Sequence, residues 1–439
     1  MDCRIEDLNE DGRGRAHVDG RTVLASQALP GELIRLRPDL STRGTIQGRV
    51  ARLIQPAAER IAHECAHEFH CTGCPLVAAE RAFELNWKQD KLRAVCRELT
   101  GNDAVLEPMR SPGSPFGYRY FAKQMFGRAA GRTVLGSFVM GTHHVTSNRG
   151  CPVHAAPLQA VLDAVADLAE EMRLPVDGGA GRPGLTHVLA RQSRATGAIQ
   201  IVLGVRNVDT EGPRTMLARL REQQPSVTGV HVLFQAAATN VLAAGELVFS
   251  DGAPCIEEEL LGLRHQIGPL EFFQVNPESA EVLFQRALDA LGHGGEVLDL
   301  YAGGGVLSLP LLQRFASIHS VEADASACAR LRERAAQDGL AGLRVHCGRV
   351  EDVLEEILMD SPATAALCDP PRKGLGPRVR ELLARSGLQR VVLLACSPDS
   401  LLKDVPAFLA ERWRVQCVAG VDQFPRTGHV EALCLLERD

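Results

Sequence analysis

Two residues near the carboxyl end of the chain could together carry out covalent catalysis. Cys396 lies in LLACSPDSLLKD (393–404), where an apolar strand-like run meets a turn. Glu431 lies in DQFPRTGHVEALCLLER (422–438), just after a glycine-bearing turn. A thiol can attack a substrate as a nucleophile, and a carboxylate can then remove a proton. The pair therefore predicts a reaction with a covalent intermediate and a separate base-catalysed step.

A glycine-rich loop upstream of this pair predicts a nucleotide-type cofactor. In LDLYAGGG (298–305), Asp299 ends an apolar run, and the three glycines allow the backbone to approach a ligand closely. Glu322 closes the next strand-like run, where a carboxylate can accept hydrogen bonds from ribose hydroxyls. The loop lacks the G-x-G-x-x-G spacing of dinucleotide sites, so a pyrophosphate is not implied. These features favour S-adenosylmethionine over NAD.

Composition and charge limit the possible classes of protein. The chain has 439 residues, of which 45% are hydrophobic and 23% charged, so two or three globular domains are expected. The formal net charge is only −6, so any contact with nucleic acid must come from a local basic patch. We find no apolar signal region in MDCRIEDLNE and no apolar run of membrane-spanning length. A cytoplasmic location without a membrane partner is therefore expected.

The pattern along the chain predicts three domains. Residues 1–55 form short strand-like runs separated by glycines, which indicates a small β-barrel. Residues 56–265 mix helical and strand-like runs and indicate an α+β domain. Residues 266–439 alternate strands and helices and end in two strands with no helix between them. The last domain is therefore predicted to be Rossmann-like α/β with a closing antiparallel hairpin, the architecture of class I S-adenosylmethionine-dependent methyltransferases.

The segment 108–150 is basic and rich in aromatic residues. It contains no Asp or Glu, and its cations are Arg110, Arg119, Lys123, Arg128, Arg132 and Arg149. Such a segment can neutralise phosphates and stack on bases. The alternative is a buried β-hairpin with solvated arginines. The interpretation as an RNA-contacting segment is favoured.

A cysteine cluster predicts a metal site in the central domain. Cys65, Cys71 and Cys74 have the spacing C-x5-C-x2-C, and Cys151 precedes a proline much further along the chain. Four thiolates could hold either Zn or a [4Fe–4S] cluster, and a Cys-Pro ligand pair suits the latter. If the metal were Zn, His63, His67 and His70 would be competing ligands. Free thiols are the remaining alternative. A disulfide framework is disfavoured because we find no secretory signal.

Five motifs in order resemble those of the RNA uracil-C5 methyltransferase family. They are LDLYAGGG, VEAD, CDPPRKGLG (368–376), ACSPDSLLKD and DQFPRTGHVE. EFFQVNPESAEVL (271–283) is similar to the family's FxQxN segment. The N-terminal segment resembles a TRAM β-barrel, and the cysteine spacing resembles the iron–sulfur subgroup of the family. Ala302 and Val306 depart from the Cys and Asn common in the family.

The resemblance implies an enzyme that methylates C5 of a uridine in RNA. It assigns Cys396 as the nucleophile that adds to C6 and Glu431 as the base that removes the C5 proton. The implied cofactor-binding residues are Gln274, Tyr301, Glu322 and Asp369. The implied ligands of a [4Fe–4S] cluster are Cys65, Cys71, Cys74 and Cys151. The expected partner is RNA, with 23S rRNA preferred over tRNA, and a monomer is the expected state.

Two rival hypotheses remain at this point. One is a non-catalytic RNA-binding protein with an iron–sulfur scaffold, which the presence of Cys396 and Glu431 disfavours. The other is a methyltransferase that acts on a protein or a small molecule. The acid-free basic segment and the predicted barrel disfavour that alternative.

Overall fold

The computed structural model describes residues 1–67, 69–139, 142–177, 181–206, 209–236 and 241–438. These residues form three large β-sheets, a small hairpin and nine helices. Across these ranges, none of the helices combines the length and the apolar composition required to cross a bilayer.

The first sheet has six strands and its own apolar core. Its strands are β1 (Asp2–Arg4), β2 (Asp7–Leu8), β3 (Gly14–Val18), β4 (Arg21–Ser26), β5 (Leu33–Ser41) and β6 (Thr45–Gln55), in the order β1-β5-β6-β4-β3-β2. Alternate residues such as Val23 and Ala25 point into the core because side chains alternate across a strand. The predicted short strands are confirmed, and their closure into a TRAM-like barrel stays a prediction. Helix α1 (Arg81–Thr100) follows.

The central sheet has seven strands with two helices on one face. The strands are β7 (Phe121–Ala129), β8 (Arg132–Phe138), β9 (Val145–Ser147), β10 (Gly184–Gln192), β11 (Ile199–Arg206), β12 (Val227–Phe234) and β13 (Glu246–Gly252), in the order β13-β12-β11-β10-β7-β8-β9. The helices are α2 (Ala156–Glu171) and α3 (Glu211–Gln223). Their apolar residues pack with alternate strand residues in one core. A separate hairpin, β14 (Ile256–Leu260) with β15 (Leu263–Ile267), follows.

The third sheet is doubly wound, as the sequence predicts. Its strands are β16 (Gly294–Leu300), β17 (Phe315–Glu322), β18 (Leu343–Cys347), β19 (Ala365–Cys368), β20 (Arg390–Ala395), β21 (Trp413–Val421) and β22 (Glu431–Arg438). The helices are α4 (Pro277–Leu291), α5 (Ser308–Leu311), α6 (Ala325–Gln337), α7 (Val350–Asp360), α8 (Pro377–Arg385) and α9 (Pro398–Leu409). The predicted antiparallel pairing of the last two strands is confirmed.

The order of the third sheet is β18-β17-β16-β19-β20-β22-β21. The pairs from β18 to β20 are parallel, whereas β22 is antiparallel to both β20 and β21. The last strand in the chain therefore lies between the two strands that precede it. This insertion, which the sequence analysis did not predict, brings residues 390–396 next to residues 431–438.

Helix α1 packs on the third sheet. Leu92, Val95 and Cys96 belong to the core formed around β16, β19 and β20. The segment after the helix continues along β21, with Leu106 bridged to Val418 and Arg110 bridged to Val421. The region that precedes the basic segment is therefore part of the packing of the carboxyl-terminal sheet.

Candidate active site

Cys396 and Glu431 are brought together by the register of β20 and β22. Ala395, the last residue of β20, pairs with Ala432. In an antiparallel pair the next residue of one strand lies opposite the preceding residue of the other. Cys396 therefore follows β20 at the level where Glu431 begins β22. The nucleophile and the base implied by the resemblance are neighbours across one strand pair.

The protein environment raises the pKa of both groups. Burial raises the pKa of the Glu431 carboxyl to about 8, with a further contribution from the Asp369 charge, and Arg372 acts in the opposite direction. Burial also raises the pKa of the Cys396 thiol to about 12, again with contributions from Glu431 and Asp369 against Arg372. The low polarity of the site disfavours each charged form. A bound cation would favour both charged forms, and a sulfonium is such a cation.

Asp369 follows β19 at the same edge of the sheet. Burial raises the pKa of its carboxyl to about 6. Its charge raises the pKa of both Cys396 and Glu431, so the three groups lie in the same region of the site. The structure therefore brings one predicted cofactor residue against the two predicted catalytic residues.

Asp404 holds the loop that carries Asp369. The backbone N–H of Leu375 donates to Asp404 Oδ2 at 2.9 Å. Gly374 has a φ of +75°, and a Cβ there would lie 2.4 Å from the same oxygen, so glycine is required. Asp404 lies on α9, which begins just after Cys396. The sequence analysis missed this role, although Asp404 closes the ACSPDSLLKD motif.

The glycine loop after β16 folds around Glu322. The N–H of Gly303 donates to Glu322 Oε2 at 2.8 Å, and the N–H of Asp324 donates to Oε1 at 2.7 Å. Tyr301 adopts a φ of +66°, which turns the chain sharply at the end of the strand. Apart from the adjacent residues, no atom of the residues that the structure describes lies within 4 Å of a Cβ built on Gly303 or on Gly304, so space remains beside the loop. These residues fit a small adenosine-type ligand.

Asp299 supports the loop from inside the fold. Its side chain is buried and accepts a hydrogen bond from the Ser308 hydroxyl. Burial raises the pKa of this carboxyl to about 7. Asp299, near the end of β16, is thus hydrogen-bonded to Ser308, the first residue of α5.

Gln274 contacts the loop that leads to Glu431. Gln423 Nε2 donates to Gln274 Oε1 at 3.3 Å and to the Asn276 carbonyl at the same distance. Asn276 also caps α4 by accepting from the Ser279 N–H, as its position before Pro277 predicts. The FxQxN segment is therefore joined to the β21–β22 loop.

Arg372, within the motif CDPPRKGLG, is a further candidate residue of the site. Its side chain is exposed at the edge of the site. Its charge lowers the pKa of Cys396, Glu431 and His429. An exposed cation beside a nucleophile can attract an anionic substrate.

The four predicted metal ligands lie close to one another. Burial raises the pKa of the Cys74 thiol, and charges on Cys151, Cys71 and Cys65 raise it further. The same mutual effects act on Cys71 and Cys151. In the described part of the chain, however, no group of three or more His, Cys, Asp or Glu side chains is arranged to hold a metal ion. The metal site stays a prediction.

The basic segment forms the β7–β8 hairpin and the strand β9. Arg128 pairs with Glu170, and Arg149 pairs with Asp167, both acids of α2. Lys123 is exposed, and its ammonium lies over the Phe121 ring. Part of the positive charge of this segment is therefore neutralised within the domain.

Comparisons with known proteins indicate which family and fold the chain resembles. Residues 263–439 match the family described as tRNA (Uracil-5-)-methyltransferase. An RNA methyltransferase of Gloeobacter violaceus is 29% identical, with 99% of this chain and 95% of the relative covered. One of Halalkalibacterium halodurans is 28% identical, with 100% and 96% covered. The fold is that of the Pyrococcus abyssi tRNA (uracil-54, C5)-methyltransferase in complex with S-adenosyl-L-homocysteine, with a TM-score of 0.78, 20% identity, and 99% and 100% coverage. Residues 263–439 therefore match the RNA uracil-C5 methyltransferase family, and the whole chain is similar to RNA methyltransferases, which together support an S-adenosylmethionine-dependent RNA methyltransferase.

Proposed function

We propose that this protein transfers the methyl group of S-adenosylmethionine to C5 of a uridine in RNA through a covalent adduct on Cys396. The observation that carries the proposal is the placement of Cys396 opposite Glu431 across β20 and β22. The two groups act in sequence on adjacent atoms of one ring, so they must lie within one substrate width of each other. The strand register supplies that proximity.

The reaction begins with the Cys396 thiolate adding to C6 of the uracil ring. This addition makes C5 enolate-like, so C5 can attack the methyl group that the sulfonium supplies. Glu431 then accepts the C5 proton, and the C6–S bond breaks to restore the C5–C6 double bond and the Cys396 thiolate. Both faces of the ring must be reached, so the uridine must be unstacked or flipped out of the RNA.

Four residues would hold the cofactor. Glu322 lies beside the glycine loop and would accept hydrogen bonds from the ribose hydroxyls. Tyr301 and Asp369 directly follow the adjacent strands β16 and β19, and Gln274 lies in the segment before α4. The positive sulfonium is complementary to the acidic groups Asp369 and Glu431, because it favours their charged forms.

The RNA class is 23S rRNA in our leading proposal and tRNA in the second. The N-terminal sheet and the cysteine cluster support the first, through the resemblance of these regions to accessory modules. The description of the matching family supports the second. The catalytic residues are the same for both substrates.

The cysteine cluster is proposed to hold a [4Fe–4S] centre, with Zn as the alternative. The four thiols act on one another's pKa, and four thiolates would supply the donor set of such a cluster. The Arg119 charge lowers the pKa of Cys74 and Cys151, and its Nε has no hydrogen-bond partner among the described residues. A nearby cation of this kind suits an anionic centre. The cluster would tie residues 65–74 to the end of the basic segment.

Release of tritium from uridine C5 tests the proposed function. Unmodified 23S rRNA and tRNA transcripts labelled at C5 are incubated side by side with S-adenosylmethionine and anaerobically prepared protein. Release from one transcript would establish attack at C5 and identify the substrate class together. No release from either, with cofactor binding demonstrated, would contradict the proposed reaction.

A further inference from the structure

Lys88 is a buried cation at the centre of a network of charges. Its Nζ donates to Glu84 Oε1 at 2.9 Å, to Asp422 Oδ1 at 2.6 Å and to the Phe424 carbonyl at 3.2 Å. The side chains of Lys88, Glu84 and Asp422 have no solvent exposure. Lys88 and Glu84 belong to α1, whereas Asp422 and Phe424 belong to the loop between β21 and β22. The network therefore joins a helix from the first third of the chain to the loop that leads to Glu431.

Two arginines complete the network. Arg81 pairs with both Glu84 and Asp422. The backbone N–H of Arg426 donates to Glu84 Oε1 at 2.7 Å, and its guanidinium donates to the Ala79 carbonyl at 2.7 Å. Burial raises the pKa of Glu84, but the charges of Lys88 and Arg81 outweigh this effect and leave it below the ordinary value. Glu84 is therefore a carboxylate that holds the loop from two sides.

The same loop is held from the accessory regions. The N–H of Leu76 donates to the Arg426 carbonyl at 3.1 Å, and the Tyr118 hydroxyl donates to the Pro425 carbonyl at 3.0 Å. Lys91 Nζ donates to the carbonyls of Gly428 and Glu10, at 2.9 and 2.8 Å. Leu76, Tyr118 and Lys91 thus all donate to backbone carbonyls of the loop. These bonds help to fix the position at which β22 begins.

A buried ionic network is a costly way to achieve stability alone. Apolar residues of similar volume often stabilise a fold as well or better, whereas charges with several fixed partners specify one geometry. In this protein the contacts specify the geometry of the loop 422–430, which directly precedes Glu431. The backbone of Arg426, at φ +68°, is held in a strained conformation by these contacts.

We propose that Lys88, with Glu84 and Asp422, is a positioning residue for the base Glu431. The network fixes the β21–β22 loop so that the Glu431 carboxyl meets the C5 proton after methyl transfer. The nucleophile Cys396 depends instead on β20 and α9. Helix α1 packs against α9, but in the described part of the chain the hydrogen bonds and ion pairs of the network given above reach neither β20 nor α9. This inference rests on the proposed function, because it assigns the role to the base step of that reaction.

The test separates adduct formation from proton removal. A transcript containing 5-fluorouridine forms the Cys396 adduct and accepts the methyl group, but it has no C5 proton to lose and stays covalently bound. The adduct is measured on a denaturing gel with S-adenosylmethionine present. Tritium release from the C5-labelled transcript, in parallel, measures the complete reaction.

For Lys88→Met we expect adduct formation to be retained while tritium release falls about 10- to 100-fold, the range for a misplaced catalytic group. Asp422→Asn is a milder variant that keeps the side-chain shape and leaves Lys88 paired with Glu84, and it should show the same split. Arg93→Met is the matched control, because Arg93 lies on the same helix and pairs only with Asp90 and Asp103 in the described contacts.

Two results would overturn the positioning role. One is a folded Asp422→Asn protein in which adduct formation and release fall together, and the other is a release rate unchanged from that of Arg93→Met. A wild-type enzyme that forms no adduct with fluorinated 23S rRNA or tRNA would instead overturn the proposed function itself. The two failures are therefore distinguishable.

Discussion

At the scale of single residues, the site combines two acidic groups whose raised pKa values disfavour the deprotonated forms that the reaction needs. Glu431 and Cys396 both have a raised pKa because the protein excludes water around them. The proposed reaction needs each group in its deprotonated form. Arg372 assists both, and a sulfonium bound nearby would assist further. Cofactor binding and activation of the catalytic pair are therefore coupled through charge.

This coupling predicts the dependence of activity on pH. A carboxyl with a pKa of about 8 is protonated below that pH and cannot accept a proton. We expect kcat/KM to rise as the pH increases through about 8. The corresponding rise in kcat should lie at lower pH, because kcat reports the complex in which the sulfonium favours the carboxylate. Tritium release measured over a pH series at low and saturating cofactor checks this, and coincident profiles would contradict it.

Substitutions of the two catalytic residues should block different steps of the reaction. Cys396→Ala is expected to abolish methyl transfer while RNA binding is retained, because no covalent adduct can form. Glu431→Gln should form the adduct but release it slowly, since the amide cannot accept the C5 proton. A denaturing gel with unmodified substrate and radiolabelled cofactor distinguishes the two variants. Unchanged turnover in Cys396→Ala would refute the assignment of Cys396 as the nucleophile. If the protein is not catalytic, neither substitution will change the amount of adduct or product.

At the scale of elements, the glycine loop offers a matched pair of substitutions. Gly305 has a φ of +80°, and a Cβ there would lie 2.4 Å from Leu331 Cδ1. Gly304 lacks a positive φ and has free space around it. We expect Gly305→Ala to destabilise the fold by about 1–3 kcal/mol and to weaken cofactor binding, because both backbone and packing are strained.

Thermal denaturation and calorimetric titration with S-adenosylhomocysteine provide the measurements for this pair. Gly304→Ala should leave the melting temperature close to the wild-type value. Its effect on cofactor affinity then reports contact with the ligand alone. Equal destabilisation by the two variants would contradict the geometry of the loop.

The elements themselves were largely predictable, whereas their lateral order was not. Hydrophobic periodicity predicts the strands and helices of residues 266–439, because burial of one face leaves a local pattern. The place of β22 between β20 and β21 depends on long-range pairing that no local pattern encodes. For the same reason Lys88 and Asp404 were missed, since their partners are distant in sequence or belong to another loop.

At the scale of the whole molecule, the accessory regions contact the catalytic loop directly. Leu76 lies two residues after Cys74 and donates to the Arg426 carbonyl. The cysteine cluster and the loop before Glu431 are thus joined through a few backbone bonds. A metal centre bound by the cysteine cluster would therefore also help to fix Leu76, which contacts the loop before Glu431.

The identity of that centre is testable on the intact protein. Anaerobic purification is expected to give a brown protein containing iron and sulfide, which bleaches in air. Cys151→Ser should reduce the iron content, because it removes the distant ligand. A colourless anaerobic preparation with stoichiometric zinc would identify the alternative metal, and a metal-free active protein would leave four free thiols.

The position of β22 also has a consequence for the biosynthesis of the enzyme. Residues 431–438 fill a gap between two strands that are translated before them. Until the ribosome has released this segment, Cys396 faces an incomplete sheet edge with no carboxylate opposite it. A nascent or prematurely terminated chain therefore has a thiol but no base. It cannot complete a turnover, however much of the cofactor loop has already folded.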